Sequence, residues 1–212
     1  RQVYHCWKHG GHGDVDLHNA IKKSCNVFFY TMADRIGVKK IATMARRLGL
    51  GQTYSCGLLE QKPGLVPDAD WKQATTGQPW FRGETISTGI GQGYVSASPL
   101  QLAVMTARIA SGRAVVPTIV RKPDFVLPDT PIFPSLQIPD TLLDPVRSGM
   151  MAVVNEPEGT GGKARLKDSK ILVAGKTGTS QVRKLGTSSS DKEEGDPDVW
   201  EDKDHALFVC YF

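Results

Sequence analysis

The sequence lacks an apolar run long enough to cross a membrane, a visible signal peptide and any Cys-x-x-C pair. A membrane-spanning helix needs about 20 predominantly apolar residues, and this chain has no such stretch. Aromatic residues make up only 8% of the chain, and they do not alternate with lysines and arginines, which argues against a nucleic-acid-binding surface. The glycines of residues 89–93 do not keep the spacing of a dinucleotide-binding loop, so we exclude that class as well.

The composition is that of an ordinary globular domain with an uneven charge. The 212 residues are 40% hydrophobic and 23% charged, and this length is enough for one domain with a sizeable core. The formal charge is +4, but residues 191–204 contribute a net −6 from eight acidic residues and two lysines, so the remainder carries +10. A basic body favours an anionic peptide or glycan as ligand, although charges scattered for solubility explain the same count.

Near its end the chain carries the triplet Lys176-Thr177-Gly178, followed by Thr179. The triplet stands directly behind an apolar run at 171–175, which predicts a strand that lines a site. The lysine supplies a cation for a substrate carboxylate, the threonine hydroxyl can bond the same group, and the glycine lets substrate lie close to the backbone. Taken alone, the triplet also fits an ordinary strand end with a surface lysine.

A second polar pair, Ser24 and Asn26, flanks Cys25 at a predicted turn between two helices. Two side chains at such a turn can point into one cleft, where the serine relays a proton and the asparagine amide holds a substrate carbonyl. The alternative is that both residues only cap the second helix. Because penicillin-recognising enzymes combine an S-x-N loop with a downstream K-T-G triplet, the order of the two motifs favours the catalytic interpretation.

Short matches spread over nearly the whole chain resemble the penicillin-binding protein 2 family, the class B peptidoglycan D,D-transpeptidases. The matches keep the family's order, and they are Gly10-Gly11-His12-Gly13, Ser24-Cys25-Asn26-Val27-Phe28-Phe29-Tyr30, Trp71-Lys72, Gly83-Glu84-Thr85, Gly89-Ile90-Gly91-Gln92-Gly93-Tyr94, Ala97-Ser98-Pro99-Leu100-Gln101-Leu102, Gly159-Thr160 and Lys176-Thr177-Gly178-Thr179-Ser180-Gln181. Together they are far more specific than either short motif.

The resemblance implies an α+β fold of the penicillin-recognising serine transferase type, with helices packed on an antiparallel sheet beside a helical subdomain. Residues 1–212 would form part of one transpeptidase domain. The implied activity is D,D-transpeptidation, which cross-links peptidoglycan stem peptides during cell-wall elongation and needs no cofactor for its chemistry. β-Lactams would acylate the same enzyme. The implied location is the periplasmic face of the bacterial inner membrane, and the implied partner is a membrane glycan polymerase of the elongation complex.

The resemblance also implies a role for each motif residue. Ser24 would shuttle a proton to the leaving nitrogen, and Asn26 would orient the acyl-donor amide. Lys176 would hold Ser24 and steer the terminal carboxylate of the stem peptide, which Thr177 and Thr179 would bond. The Thr179 backbone N–H would donate to the oxyanion, and Gly178 would leave room for substrate.

The chain has no S-x-x-K motif upstream of Ser24, although the family carries its serine nucleophile there. The match at Ser189-Ser190-Asp191-Lys192 follows K-T-G in a polar, acidic stretch. A nucleophilic serine needs a lysine of lowered pKa beside it, which a solvated loop does not provide, so we interpret this match as chance. We therefore expect a fragment whose nucleophile lies upstream of residue 1, and we expect the fragment alone to be inactive.

Three soft metal ligands crowd the start of the chain: Cys6, His12 and Cys25. Zinc takes four N, S or O ligands in a tetrahedron, so a structural zinc here would stiffen the S-x-N loop, with His5, His9 or His18 or an upstream carboxylate as the fourth ligand. One alternative is a Cys6–Cys25 disulfide in an oxidising compartment. The other is that the thiols are free and that His12 only fills a turn.

Two other functions compete with transpeptidation. A serine β-lactamase also uses S-x-N and K-T-G, but it needs a base for deacylation, and the sequence offers no convincing one. A catalytically inert remnant, either antibiotic-binding or stabilised by zinc, is favoured by the missing S-x-x-K motif. Covalent labelling by a fluorescent penicillin separates the enzyme from the remnant, and slow turnover of the acyl-enzyme separates transpeptidase from hydrolase.

Periodicity and cap residues predict the elements that carry these motifs. We predict helices over 16–23, 27–36, 38–48, 98–110 and 141–154, a K-T-G strand over 171–182, and an antiparallel partner over 207–212. Residues 51–83 are predicted to be irregular because of their prolines. Cys56 and Cys210 are predicted to be small buried residues.

Overall fold

The computed structural model describes residues 3–119, 133–167, 170–180 and 204–212. Within them the chain forms α-helices, one short 3-10 helix at Gly162–Ala164, and two β-strands. The helices are α1 Leu17–Lys22, α2 Asn26–Ile36, α3 Val38–Arg47, α4 Ala69–Thr76, α5 Arg82–Thr88, α6 Pro99–Ser111 and α7 Asp140–Asn155, and the strands are β1 Ala174–Ser180 and β2 His205–Tyr211. None of the helices in these ranges is both long enough and apolar enough to span a bilayer.

Two of the predicted helix starts are confirmed by their caps. The Asp16 carboxylate accepts from the backbone N–H of Asn19 at 2.8 Å and begins α1. Ser98 and Gln101 exchange side-chain and backbone hydrogen bonds at the start of α6, which satisfies two N–H groups that would otherwise have no partner. Short polar caps of this kind are visible in the sequence because they depend on residues only three apart.

The main core joins three elements that are distant in the sequence. Ile21 of α1, Val153 of α7 and Ala174 of β1 belong to one cluster of buried side chains. Gly149 permits this packing, because a Cβ there would lie 2.8 Å from the Cβ of Ile21. The end of α1 is therefore held against β1, and the two predicted motifs are brought together by apolar burial rather than by their own polar groups.

The two strands form an antiparallel pair in which Lys176 lies opposite Val209 and Thr179 opposite Ala206. This confirms the predicted partner of the K-T-G strand. The predicted start of the strand at residue 171 is wrong, since β1 begins at Ala174 and residues 171–173 form no regular element. The predicted end at Gln181-Val182 lies outside the described residues.

The prediction that residues 51–83 are irregular is wrong in part. This segment contains α4, which Asp68 caps by accepting from the N–H of Trp71 at 2.8 Å, and α5 begins inside it. The apolar pattern failed to show α4 because its buried residue is a lysine. Lys72 is 1% exposed and is paired with Glu84 of α5, and an ion pair leaves no hydrophobic periodicity in the sequence.

One of the two burial predictions for cysteine is wrong. Cys56 is buried as predicted, whereas Cys210 is exposed. Cys210 alternates with Phe208 and Phe212 along β2, and these side chains therefore share one face of the sheet. In the described residues this face is open, because Phe208 is 40% and Phe212 is 87% exposed.

Candidate active site

The K-T-G lysine meets the S-x-N serine. The Lys176 ammonium donates to Ser24 Oγ at 2.7 Å and to the Thr177 carbonyl at 2.9 Å. Burial lowers the pKa of Lys176 to about 8, because removing an ammonium from water disfavours its charged form. A lysine with this pKa can exchange a proton with its neighbour near neutral pH, which an ordinary surface lysine cannot do.

The Ser24 turn is an irregular connection between α1 and α2. Ser24 has a φ of +52°, a left-handed conformation that a side chain makes unfavourable. Its N–H donates to the Ile21 carbonyl at 3.2 Å, and the Cys25 N–H donates to the Ala20 carbonyl at 2.9 Å. These hydrogen bonds wrap the turn over the end of α1 and direct the serine side chain toward β1.

Asn26 is the first residue of α2, one position earlier than predicted. The N-cap is Cys25, which makes no side-chain cap hydrogen bond, so the alternative in which Ser24 and Asn26 only cap this helix is wrong. Burial raises the pKa of the Tyr30 phenol, and the nearby Asn26 side chain acts in the opposite direction. Since two residues span at most about 7 Å of chain, Asn26 lies close to the Ser24–Lys176 pair.

Trp7 supports this turn and was missed by the sequence analysis. Its indole N–H donates to the carbonyls of Ser24 at 2.9 Å and Lys23 at 3.2 Å. Its ring contacts His12 edge-on, with ring centroids 5.5 Å apart. No spacing rule connects residue 7 with residue 24, because the contact depends on how the N-terminal loop folds back over α1.

The K-T-G threonine has a partner that the motif does not show. Thr177 Oγ1 lies 2.8 Å from Thr160 Oγ1. Thr160 belongs to the Gly159-Thr160 pair, one of the short matches to the penicillin-binding protein 2 family. The turn at residues 159–164 is tied to both halves of the site, since the Thr160 N–H donates to the Lys22 carbonyl at 3.3 Å. A cavity of about 540 Å³ opens beside Thr177, lined by this turn and by Phe208.

Gly178 has space beside it in the described residues. A Cβ at this position would meet only the Cβ of Leu207, at an ordinary contact distance of 3.9 Å. Packing within the chain therefore does not require a glycine here. The role of Gly178 in leaving room for a ligand stays a prediction.

The three predicted metal ligands lie together. The donor atoms of Cys6, His12 and Cys25 are all within 4.8 Å of one another, and Cys6 Sγ is 3.4 Å from His12 Nδ1. The alternative of a Cys6–Cys25 disulfide is wrong, because both cysteines are free thiols. For a tetrahedral zinc with bonds of 2.0–2.3 Å, donor atoms lie about 3.5 Å apart, so the cluster needs only small adjustments to hold the ion.

The pKa shifts of Cys6 and His12 are in the direction that favours metal binding. Burial raises the pKa of Cys6, but hydrogen bonds from the backbone of Lys8, Asn26 and Val27 and from the Cys25 side chain outweigh it and lower the pKa overall. Burial also lowers the pKa of His12, assisted by the nearby charges of Lys8 and Lys23. A thiolate and a neutral imidazole are the forms that bind zinc.

The helices, the antiparallel sheet and the Ser24–Lys176 contact define a chain with the α+β penicillin-recognising fold. The family model "Penicillin binding protein transpeptidase domain" matches residues 1–212, and the chain belongs to this family. The match covers every residue named in the site, including the metal-ligand cluster at the start of the chain.

Particular relatives are identical to the chain at roughly a third of the aligned positions. It is 34% identical to the peptidoglycan D,D-transpeptidase MrdA of Haemophilus influenzae, over 97% of this chain and 32% of that protein. In structure it is similar to the PBP2 of Helicobacter pylori in its complex with MreC, with a TM-score of 0.79, 31% identity and coverage of 98% of this chain and 36% of that one. It is also similar to Pseudomonas aeruginosa PBP2 in complex with WCK 5153, with a TM-score of 0.78, 34% identity and coverage of 98% and 43%. The chain thus spans about a third of the length of the curated relative.

Proposed function

We propose that residues 1–212 form part of the transpeptidase domain of a peptidoglycan D,D-transpeptidase and supply its S-x-N and K-T-G residues. The observation that carries this proposal is the 2.7 Å contact between Lys176 Nζ and Ser24 Oγ, formed across 152 positions of sequence. Proton transfer between the two side chains is the simplest explanation for this contact. The contact lies within the residues that match the transpeptidase family.

The proposed reaction begins when a serine outside these residues gives its hydroxyl proton to a base, also outside them, and attacks the carbonyl carbon of a D-Ala-D-Ala terminus. The base returns this proton to the serine when the acyl-enzyme is later resolved. The C–N bond to the terminal D-alanine breaks as that residue leaves, and the Ser24 hydroxyl passes a proton to the departing nitrogen. Lys176, in hydrogen-bond contact with Ser24, restores that proton. An amine from a neighbouring strand then attacks the acyl-enzyme and forms the cross-link, while its proton returns through the same groups.

Binding of the stem peptide would use the remaining motif residues. Asn26 would orient the acyl-donor amide, and the ammonium of Lys176 would attract the terminal carboxylate, which the hydroxyls of Thr177 and Thr179 would bond. The Thr179 N–H would stabilise the oxyanion of the tetrahedral intermediate. β-Lactams would bind and acylate at this site because they present the same carbonyl and carboxylate.

We further propose that Cys6, His12 and Cys25 hold a structural zinc, with a fourth ligand from a residue outside the cluster. A zinc bound through Cys25 would stabilise the strained turn next to it and would take no part in the chemistry. In the intact protein we expect about one zinc per chain by elemental analysis, and we expect Cys6→Ser to lose it. Full retention of zinc in Cys6→Ser would refute this site.

The proposed location is the periplasmic face of the inner membrane, and the proposed partner is a membrane glycan polymerase of the elongation complex. Both proposals are supported by membership of the family and by the similarity to PBP2 proteins, one of which was solved in complex with MreC. Fractionation of cells and co-purification with a polymerase of this kind test the two statements separately.

A fluorescent penicillin tests the activity. We expect covalent labelling of the intact protein and no labelling of residues 1–212 alone, because the nucleophile lies elsewhere. Labelling of the isolated chain, at Ser189 or any other residue, would overturn the assignment of the nucleophile. Rapid release of the hydrolysed penicillin would identify a hydrolase instead, whereas a long-lived adduct together with cross-linking of stem peptides supports the transpeptidase.

A further inference from the structure

The glycine-rich loop after α5 reaches the K-T-G strand through one side chain. The amide of Gln92 donates to the carbonyl oxygen of Thr179 at 2.8 Å, a contact between residues 87 positions apart. This is a contact to the strand that carries the proposed carboxylate and oxyanion groups. The roles proposed above for the motif residues do not use Gln92.

The loop is built to hold Gln92 in place. The glycines on either side of Gln92 have φ angles of +74° and +75°, a conformation that L side chains disfavour. The backbone N–H of Gln92 donates to the Ser87 carbonyl at 3.0 Å, which anchors the loop on the end of α5. Two residues further along, the Tyr94 ring packs on Trp71, with ring centroids 5.2 Å apart.

The same loop is connected to the S-x-N half of the site. α5 packs closely against α2, the helix that begins at Asn26, because Gly89 lies against the Cβ of Ala33. Arg82 and Asp34 join these two helices through two hydrogen bonds of 2.6 Å. Gln92 therefore links β1 to α5 and, through α5, to α2, the helix that begins at Asn26.

The geometry of β1 shows what this hydrogen bond controls. The carbonyls of Thr177 and Thr179 accept from the side chains of Lys176 and Gln92, so both point to the edge of β1 that faces away from β2. In an antiparallel strand the N–H and C=O of one residue point to the same side. The Thr179 carbonyl and N–H belong to two peptide units joined at the Thr179 Cα, so a hydrogen bond to the carbonyl restrains the backbone at Thr179 and, through it, the N–H on the same edge.

We propose that Gln92 is a positioning residue for acyl transfer, whose amide fixes the Thr179 peptide groups so that the Thr179 N–H stays aimed at the developing oxyanion. This rests on the proposed function, because the oxyanion role of Thr179 belongs to it. Preorganised donors of this kind matter more in the transition state than in the bound ground state. Gln92 should therefore affect the rate of acylation more than the initial binding of the ligand.

The test is stopped-flow acylation of the intact protein by a fluorescent penicillin, which resolves the acylation rate constant from the dissociation constant of the non-covalent complex. We expect Gln92→Met, which keeps the length and removes the donor, to lower the acylation rate constant about tenfold with little change in that dissociation constant. Gln92→Glu, which places an acceptor against the carbonyl, should lower it at least as far. Gln92→His, which restores a donor at similar reach, should recover part of the loss.

Gln73→Met is the matched control, since the exposed Gln73 amide also donates to a backbone carbonyl, that of Gly77 at 3.3 Å, on α4. It should acylate like the unaltered protein. If the unaltered protein is labelled and Gln92→Met is labelled at the same rate, the Gln92 proposal fails while the proposed function stands. A loss in Gln92→Met that appears equally as weaker non-covalent binding and a lower melting temperature would make Gln92 a residue of general stability and would also overturn the proposal.

If the unaltered protein is not labelled at all, the proposed function fails and this proposal fails with it.

Discussion

The two halves of the site are held in different ways. Ser24 lies in an irregular turn and has a left-handed conformation, and Asn26 begins the helix that follows. The Trp7 indole donates to this turn, and the Cys6, His12 and Cys25 cluster borders it. Lys176 stands on a regular antiparallel strand whose first residues are buried against α7. The turn depends on several separate contacts, whereas the strand depends on pairing and core packing. Loss of one contact should therefore disturb the turn more readily than the strand.

The largest effect should come from the contact between the halves. Removing either Ser24 or Lys176 interrupts one proton path, so we expect Ser24→Ala and Lys176→Met each to lower penicillin acylation by about a thousandfold. Since the two groups act as a unit, the double variant should be hardly slower than the worse single variant. Acylation rates of the four proteins measure this, and additive losses would show that the halves act independently.

The pH dependence should be specific to the strand half. With the pKa of Lys176 lowered to about 8, its ammonium form predominates at pH 7 and is roughly a tenth of the population at pH 9. We expect non-covalent affinity for an anionic β-lactam to fall up to about tenfold over that interval. The unfolded chain keeps this proton until about pH 10, so the lysine's contribution to folding stability should improve as the pH rises from 8 to 10.

Lys176→Arg is the control for that pH profile, because arginine keeps its charge throughout. Its affinity for the same β-lactam, whatever its absolute value, should be flat between pH 7 and pH 9. A sloping profile in Lys176→Arg would assign the titration to another group.

A smaller effect should follow from removing the support of the turn. Trp7→Phe keeps an aromatic ring beside His12 but removes the N–H that binds the Ser24 and Lys23 carbonyls, so we expect acylation to fall about fivefold and stability by about 1 kcal/mol. Acylation kinetics and urea unfolding of the intact protein measure both. A control change on an exposed apolar side chain outside the turn, Leu59→Ala, should leave the acylation rate unaltered, because Leu59 is fully exposed. An unchanged rate in Trp7→Phe would show that Ser24 holds its conformation without the indole.

The smallest effect concerns the Thr177 hydroxyl. Thr160→Val removes the partner of Thr177 while keeping the side-chain shape, so the Thr177 hydroxyl loses its orientation but remains in place. We expect a two- to threefold loss in non-covalent affinity for an anionic β-lactam. This is less than the free energy that one hydrogen bond typically contributes. Titration of binding before acylation measures it. An increase in affinity would show that Thr160 competes with the ligand for Thr177.

Much of the fold was predictable where local chemistry decides it. The caps at Asp16 and Ser98 and the glycine after α2 mark helix ends through residues only a few positions apart, and they are where they were predicted. The helix α4 was not predictable in this way, because it buries Lys72 against Glu84 and Phe81 rather than an apolar stripe. The exposure of Cys210 could not be predicted either, because alternation along β2 does not say which face of the sheet is covered.

The residue types alone were enough to predict which groups could do chemistry: a lysine, two threonines, a serine and an asparagine in recognisable short spacings, and three soft metal ligands near the start. Short spacings survive in the sequence because they reflect neighbouring atoms on one stretch of backbone. The partners of those groups could be found only in the folded chain, since Trp7, Gln92 and Thr160 meet Ser24, Thr179 and Thr177 through contacts 17, 87 and 17 positions apart. Such contacts follow from the burial of α1, α7 and β1 in one core, and no local pattern records that packing.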